Sequence, residues 1–161
     1  MSGVFSNAVA PAELQPLVAA VAIRLVQEAD GPALAALMAE LGYPTAVPQV
    51  QERLRALEQA GDQLLVAHQG AQVVGMVHLH RMHFLHRAPD GRIVTLVVTA
   101  PCRGLGIGAQ LVAAAEEQFG RWGCGRVEVS SGKAREAAHR FYHRAGYEEQ
   151  SKRFIKPLLP G

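Results

Sequence analysis

The chain has 161 residues, about half of them apolar and few aromatic, which suits one domain with a real core and excludes disordered and fibrous classes. A net charge of +2 argues against nucleic acid as the main partner, since that calls for a strongly basic face. Two cysteines, Cys102 and Cys124, are too few for a secreted disulfide framework and lack metal-ligand spacing. The apolar stretch at 17–26, broken by Arg24, suits neither a signal peptide nor a membrane span, so the expectation is a cytoplasmic protein without metal or membrane partner.

Residues 1–20 contain two prolines and no period and read as an N-terminal arm, leaving 21–161 as the domain. Residues 21–26 alternate like a first strand. Asp30, Gly31 and Pro32 then signal a helix start, with Leu34, Leu37, Met38 and Leu41 on one face before Gly42. A second helix begins near Pro48, turns Val50, Leu54 and Leu57 inward and stops at Gly61. From Leu64 a strand runs to His68. The Gln69-Gly70 turn joins it to a longer strand at 73–83, and Asp90-Gly91 marks another turn. Residues 93–98 are apolar almost throughout, as in a central strand covered on both faces. After the glycine-rich RGLGIG at 103–108, Ile107, Leu111, Ala115, Phe119 and Trp122 form a helical stripe stopped by Gly123 and Gly125. A strand at 126–130 and a helix at 133–144 follow, the latter burying Ala134, Ala138, Phe141 and Ala145 and ending at Gly146. A last hairpin with arms at 147–150 and 152–158 completes a mixed α/β domain.

Gly104, Gly106 and Gly108 let the backbone approach a ligand closely, and the helix behind them leaves its first amides unpaired beside a positive dipole end, so the loop suits a phosphate. Residues 121–156 hold nine of the sixteen Lys/Arg but four of the fourteen Asp/Glu; either an anionic ligand or a solvated helix face accounts for this. GLGIGA at 104–109 also satisfies the dinucleotide signature, with Glu128 about 20 residues on. Its context is wrong for that reading, because residues 99–103 separate it from its strand and too little chain follows for a doubly wound sheet. A P-loop fails because Ala109 and Gln110 follow Gly108 in place of Lys and Ser/Thr.

The order of elements and Arg103-Gly104-Leu105-Gly106-Ile107-Gly108 resemble the acetyl-coenzyme A loop, Arg/Gln-x-x-Gly-x-Gly/Ala, of the GNAT N-acetyltransferase superfamily. Residues 130–147, SSGKAREAAHRFYHRAGY, resemble the later strand end, helix and Gly-aromatic turn of that family, and the likeness covers roughly 21–156. It implies an α/β (α+β) single domain with a mixed, mostly antiparallel sheet flanked by about four helices, a homodimer as a candidate state, and acetyl-coenzyme A as cosubstrate. It also implies that the amides of Arg103, Gly104, Leu105, Gly106, Ile107 and Gly108 bind pyrophosphate. Leu96, Val97 and Val98 would line the pantetheine arm on a splayed strand whose free amide polarises the thioester carbonyl. Tyr142 would be the acid that protonates the thiolate, against its alternative as a packing residue. Arg135 stands where many relatives carry asparagine; with His139, one turn on, it either reaches cofactor phosphate or amide groups or is a solvated helix residue.

The implied reaction is direct attack by a primary amine of a small molecule in a ternary complex, which needs a neutral nitrogen. Many relatives supply a glutamate base from the central strand, where this chain has Val94. The best substitutes are His78 and His80, on one face of their strand, which are a base, a metal pair lacking further ligands, or plain exposed histidines. Glu28, Glu40 and Glu128 are further candidate bases, and Cys102 reads as a packed loop cysteine rather than a nucleophile. The missing carboxylate also motivates an alternative function, a non-catalytic acyl-coenzyme A binding or sensor domain of the same fold.

Overall fold

The computed structural model describes residues 20–130, 136–150 and 153–159. Five strands, β1 (Val21–Leu25), β2 (Gln63–Gln69), β3 (Gln72–Met82), β4 (Asp90–Val98) and β5 (Arg126–Val129), stand in the sheet in chain order. The first four form an antiparallel meander, and β5 joins β4 in parallel. The mixed, mostly antiparallel sheet expected from the sequence is therefore present, and its single parallel pair is not the doubly wound sheet that a dinucleotide signature would serve.

Helices α1 (Gly31–Leu41) and α2 (Val47–Gln59) cover one face of the sheet and α3 (Ile107–Arg121) the other, with α4 (Glu136–Arg144) beside α3. The first core joins Leu34, Leu37 and Val50 to Leu64, Val66, Met76 and Val97. The second joins Ile107, Leu111, Ala115 and Phe119 to Ala67, Val77, Leu79 and Ile93. The stripe read at a period of about 3.6 is thus the buried one, with Trp122 packed half-buried at its end. Each fully buried large side chain such as Phe119 contributes roughly 1.5–3 kcal/mol of apolar burial.

The four α-helices of the described residues end in the same way. Gly42, Gly61, Gly123 and Gly146 have positive φ, and the residue after each donates its amide back to the carbonyl five residues earlier: Tyr43 to Met38, Asp62 to Leu57, Cys124 to Phe119 and Tyr147 to Tyr142. These are Schellman closures, in which a left-handed glycine lets the chain pay back the unpaired carbonyls of the last turn.

Four expectations are corrected. The helix expected to bury Ala134, Ala138, Phe141 and Ala145 has no buried residue in α4: Ala138 and Phe141 are half-buried, Ala145 is exposed, and Ala134 lies outside the described residues. Asp90-Gly91 is no turn but the start of β4; Asp90 is fully buried and bonded by Arg87 and Arg126, and Gly91 lies against Phe119 where a side chain would not fit. The strand at 93–98 is not covered throughout. His78 pairs with Thr95 and Leu79 with Ile93, so Val94 is the extra residue of a β-bulge and its side chain is 45% exposed. The last hairpin has no strand among the described residues of 147–159, where Phe154, Ile155, Leu158 and Leu159 are exposed.

Candidate active site

β4 and β5 pair only from Asp90↔Arg126 to Ile93↔Val129, while β4 continues to Val98. Among the described residues no β5 residue pairs with β4 from Val94 onward, and the bulge at Val94 falls just past the last of these pairs. Leu96, Val97 and Val98, which the resemblance assigns to the pantetheine arm, lie on this stretch of β4. Val97 is buried toward α1 and α2, and Leu96 and Val98 pack against the α3 core.

At the far end of β4, a short 3-10 turn at Ala100–Cys102 leads into the glycine loop. Gly104 and Gly106 have φ of +77° and +80°, conformations that cost an L-residue about 1–2 kcal/mol. Gly106 is the N-cap of α3 and offers no side-chain cap, so the first amides of α3 have no partner from their own helix. Leu105 projects from the loop, exposed, and Ile107 anchors α3 in the core. Gly108 has another role: a Cβ there would touch the Phe141 ring of α4 at 3.5 Å, ordinary contact. The Arg103 side chain turns back, its Nε donating to the Val98 carbonyl at 3.0 Å and its guanidinium 3.6 Å from Glu40. A cavity of about 450 Å³ lies over this loop, lined among others by Val98, Cys102, Gly104, Gly106, Phe141 and Arg144. Arg144 was not singled out in the sequence, although the basic bias of 121–156 was its signal.

On α4, the Tyr142 ring meets Phe141 and Tyr147 edge-on, with centroids 5.2 and 5.8 Å apart, and is half-buried. Tyr147 donates its phenol proton to Glu116 at 2.8 Å. Burial first, then this bond, pushes its pKa up, so Tyr147 stays protonated. His139 is half-buried on the same helix, and Arg135 lies outside the described residues.

The candidate bases separate clearly. Glu40 accepts the Thr99 hydroxyl at 2.6 Å and the Ala100 amide at 2.9 Å; these bonds, the hydroxyl first, hold its carboxyl below the ordinary value and make it a poor proton acceptor. Glu28 is paired with Arg55 at 3.0 Å. Glu128 lies 3.5 Å from Arg92, which also donates to Ser130 Oγ at 3.3 Å. His78 and His80 do share a face, and both reach Asp62: His78 Nε2 donates to Oδ2 at 2.7 Å and His80 Nδ1 to Oδ1 at 2.6 Å. The side chains of Asp62 and His78 are 8% and 11% exposed and that of His80 is 40% exposed. Asp62 escaped the sequence reading because its only local sign is that it follows a helix-ending glycine. Among the described residues no group of three or more His, Cys, Asp or Glu could hold a metal ion, and no helix is long and apolar enough to cross a membrane.

His80 is opposite Arg92 on β4, and Arg92 is opposite Glu128 on β5. Residues directly opposite share a face, and this row lies one residue before the last β4–β5 pair among the described residues.

Comparison with known proteins shows which family this mixed sheet and its glycine-rich helix start belong to. Residues 32–147 match the acetyltransferase (GNAT) family model. The chain is 45% identical over 94 residues to the aminoalkylphosphonate N-acetyltransferase of Salmonella typhimurium, covering 58% of this chain and 61% of that protein. It thus spans about three fifths of that relative's length. It is also 32% identical over 124 residues to the uncharacterized N-acetyltransferase YhdJ of Bacillus subtilis, covering 76% of this chain and 87% of that one. A solved GNAT family acetyltransferase of Staphylococcus aureus superposes with a TM-score of 0.74 at 26% identity, over 86% of this chain and 98% of the other. The chain belongs to the GNAT acetyltransferase family, and the class of enzyme that its relatives' names carry is N-acetyltransferase.

Proposed function

We propose that the protein is an acetyl-coenzyme A-dependent N-acetyltransferase that acetylates a small primary amine by direct attack in a ternary complex. The observation that carries this reading is one cavity that runs from Val98 at the end of β4 over the glycine loop to the start of α3. The donor set suits coenzyme A: Gly104 and Gly106 take left-handed turns with open space around them, the first α3 amides have no partner within their own helix, and Arg144 lines the cavity with positive charge. When bound, acetyl-coenzyme A supplies the acetyl group as an activated thioester.

The protein's own residues then divide the work. The loop amides of 103–108 hold the pyrophosphate, and the stretch of β4 at Leu96, Val97 and Val98 takes the pantetheine arm and offers an amide to the carbonyl oxygen. His80, the more exposed imidazole, takes a proton from the acceptor nitrogen and frees its lone pair. As the C–N bond forms and the C–S bond breaks, Tyr142 donates its phenol proton to the departing sulfur, and the second proton lost by the attacking nitrogen restores the phenol. Arg135 and His139 are further cofactor contacts on this reading.

The acceptor we infer is an amine that carries an acidic group. The aminoalkylphosphonate relative supports this, and so does Arg92, a cation in the same row as His80. Thiol release measured with 2-aminoethylphosphonate and with propylamine tests it. Faster release at low concentration of the phosphonate supports the acidic acceptor; equal kcat/KM for the two refutes it.

A further inference from the structure

Resting on the reading of His80 as the base, we propose that Asp62 is a positioning residue for acetyl transfer. Its carboxylate fixes His78 and His80 together and keeps the His80 lone pair on Nε2, toward the acceptor amine.

Asp62 is the residue after the left-handed Gly61, and its own amide is bound to Leu57 at 3.0 Å by the Schellman closure of α2. Its backbone is therefore fixed by the helix end on one side and by β2, which starts at Gln63, on the other. From there the carboxylate reaches two imidazoles two residues apart on β3, at 2.7 and 2.6 Å. An ionised carboxylate only accepts hydrogen bonds, so both rings must donate: His78 through Nε2–H and His80 through Nδ1–H. A neutral His80 then has its lone pair on Nε2, across the ring from Asp62. His78, buried behind it, occupies the second carboxylate oxygen and stops the Asp62 side chain from rotating away. As the imidazolium forms on His80, the carboxylate beside it compensates the charge, the role that a third group plays in oriented acid–base sites.

Two measurements test this. Long-range proton–nitrogen correlation spectra of ¹⁵N-labelled protein identify the histidine tautomers, and no substitution is needed. In the wild type, neutral His80 should carry its proton on Nδ1; a proton on Nε2 overturns the proposal. Asp62→Asn presents one acceptor and one donor, so one of the two rings must change tautomer. Its kcat should fall about 10- to 100-fold, a fraction of what general acid–base catalysis supplies, while acetyl-coenzyme A affinity and acceptor KM stay within about twofold. His80→Gln should fall at least as far, and the double variant little further. Wild-type kcat in Asp62→Asn with an impaired His80→Gln removes Asp62 alone. Wild-type kcat in His80→Gln removes the base itself, and the role of Asp62 with it.

Discussion

Two glycines of the loop before α3 look alike in the sequence yet do different things. Gly106 sits at φ +80° in open space, so the cost of a side chain there is conformational, about 1–3 kcal/mol and highest for a β-branched residue. Gly108 is an ordinary helical residue whose added methyl would meet Phe141 at contact distance, and alanine there gains up to about 1 kcal/mol of helix propensity. Gly106→Val is therefore expected to lower the thermal midpoint and to weaken acetyl-coenzyme A binding about tenfold or more by calorimetry, whereas Gly108→Ala should hold or raise the midpoint. Undiminished affinity in Gly106→Val would separate the loop from the cofactor. The sequence revealed the loop because glycine alternation in front of a helical stripe has few meanings. It did not reveal Asp62, because a carboxylate that acts across the sheet on β3 leaves no periodic trace where it occurs in the chain.

At the level of elements, the helix ends were legible and the strand ends were not. A glycine that takes left-handed φ closes its helix locally, so Gly42, Gly61, Gly123 and Gly146 announced four boundaries correctly. The start of β4 depends on contacts far along the chain: Asp90 is taken up by Arg87 and by Arg126 of β5, and Gly91 by Phe119 of α3. An Asp-Gly pair reads as a turn until those partners are known. The bulge at Val94 was hidden for the same reason, since register is a property of two strands. Gly91 provides the test of this packing. A Cβ there would stand 2.3 Å from Phe119 Cγ, so Gly91→Ala should destabilise by about 1–3 kcal/mol in urea unfolding. Phe119→Leu, added to it, should cost less than the sum of the two single changes. Strict additivity would mean that the strand and α3 do not press together here.

For the whole molecule, two carboxylates tie the edges of the fold to its centre. Asp30 accepts two bonds from Arg24 of β1 at 2.7 and 2.9 Å, and Asp90 links β4 to β5 through Arg126. The hydrogen bond from Arg24 lowers the Asp30 pKa, and those from Arg87 and then Arg126 lower that of Asp90. A depressed folded pKa contributes stability that is fully present above the unfolded carboxylate value of about 4 and is lost as pH falls through the folded value. The urea midpoint should accordingly drop below about pH 4, and Asp90→Asn should be less stable at neutral pH with a shallower acid loss; parallel curves for the two proteins would deny Asp90 its part. The same architecture, β4 running on past its described pairing with β5 into a glycine loop that caps α3, underlies the functional account. Its most direct test is thiol release from acetyl-coenzyme A with and without a primary amine, read together with the mass of the amine. The account requires release that depends on the amine, matched one for one by an acetylated product. Calorimetric binding of acetyl-coenzyme A with no amine-dependent release from any acceptor would contradict it and favour a sensor domain.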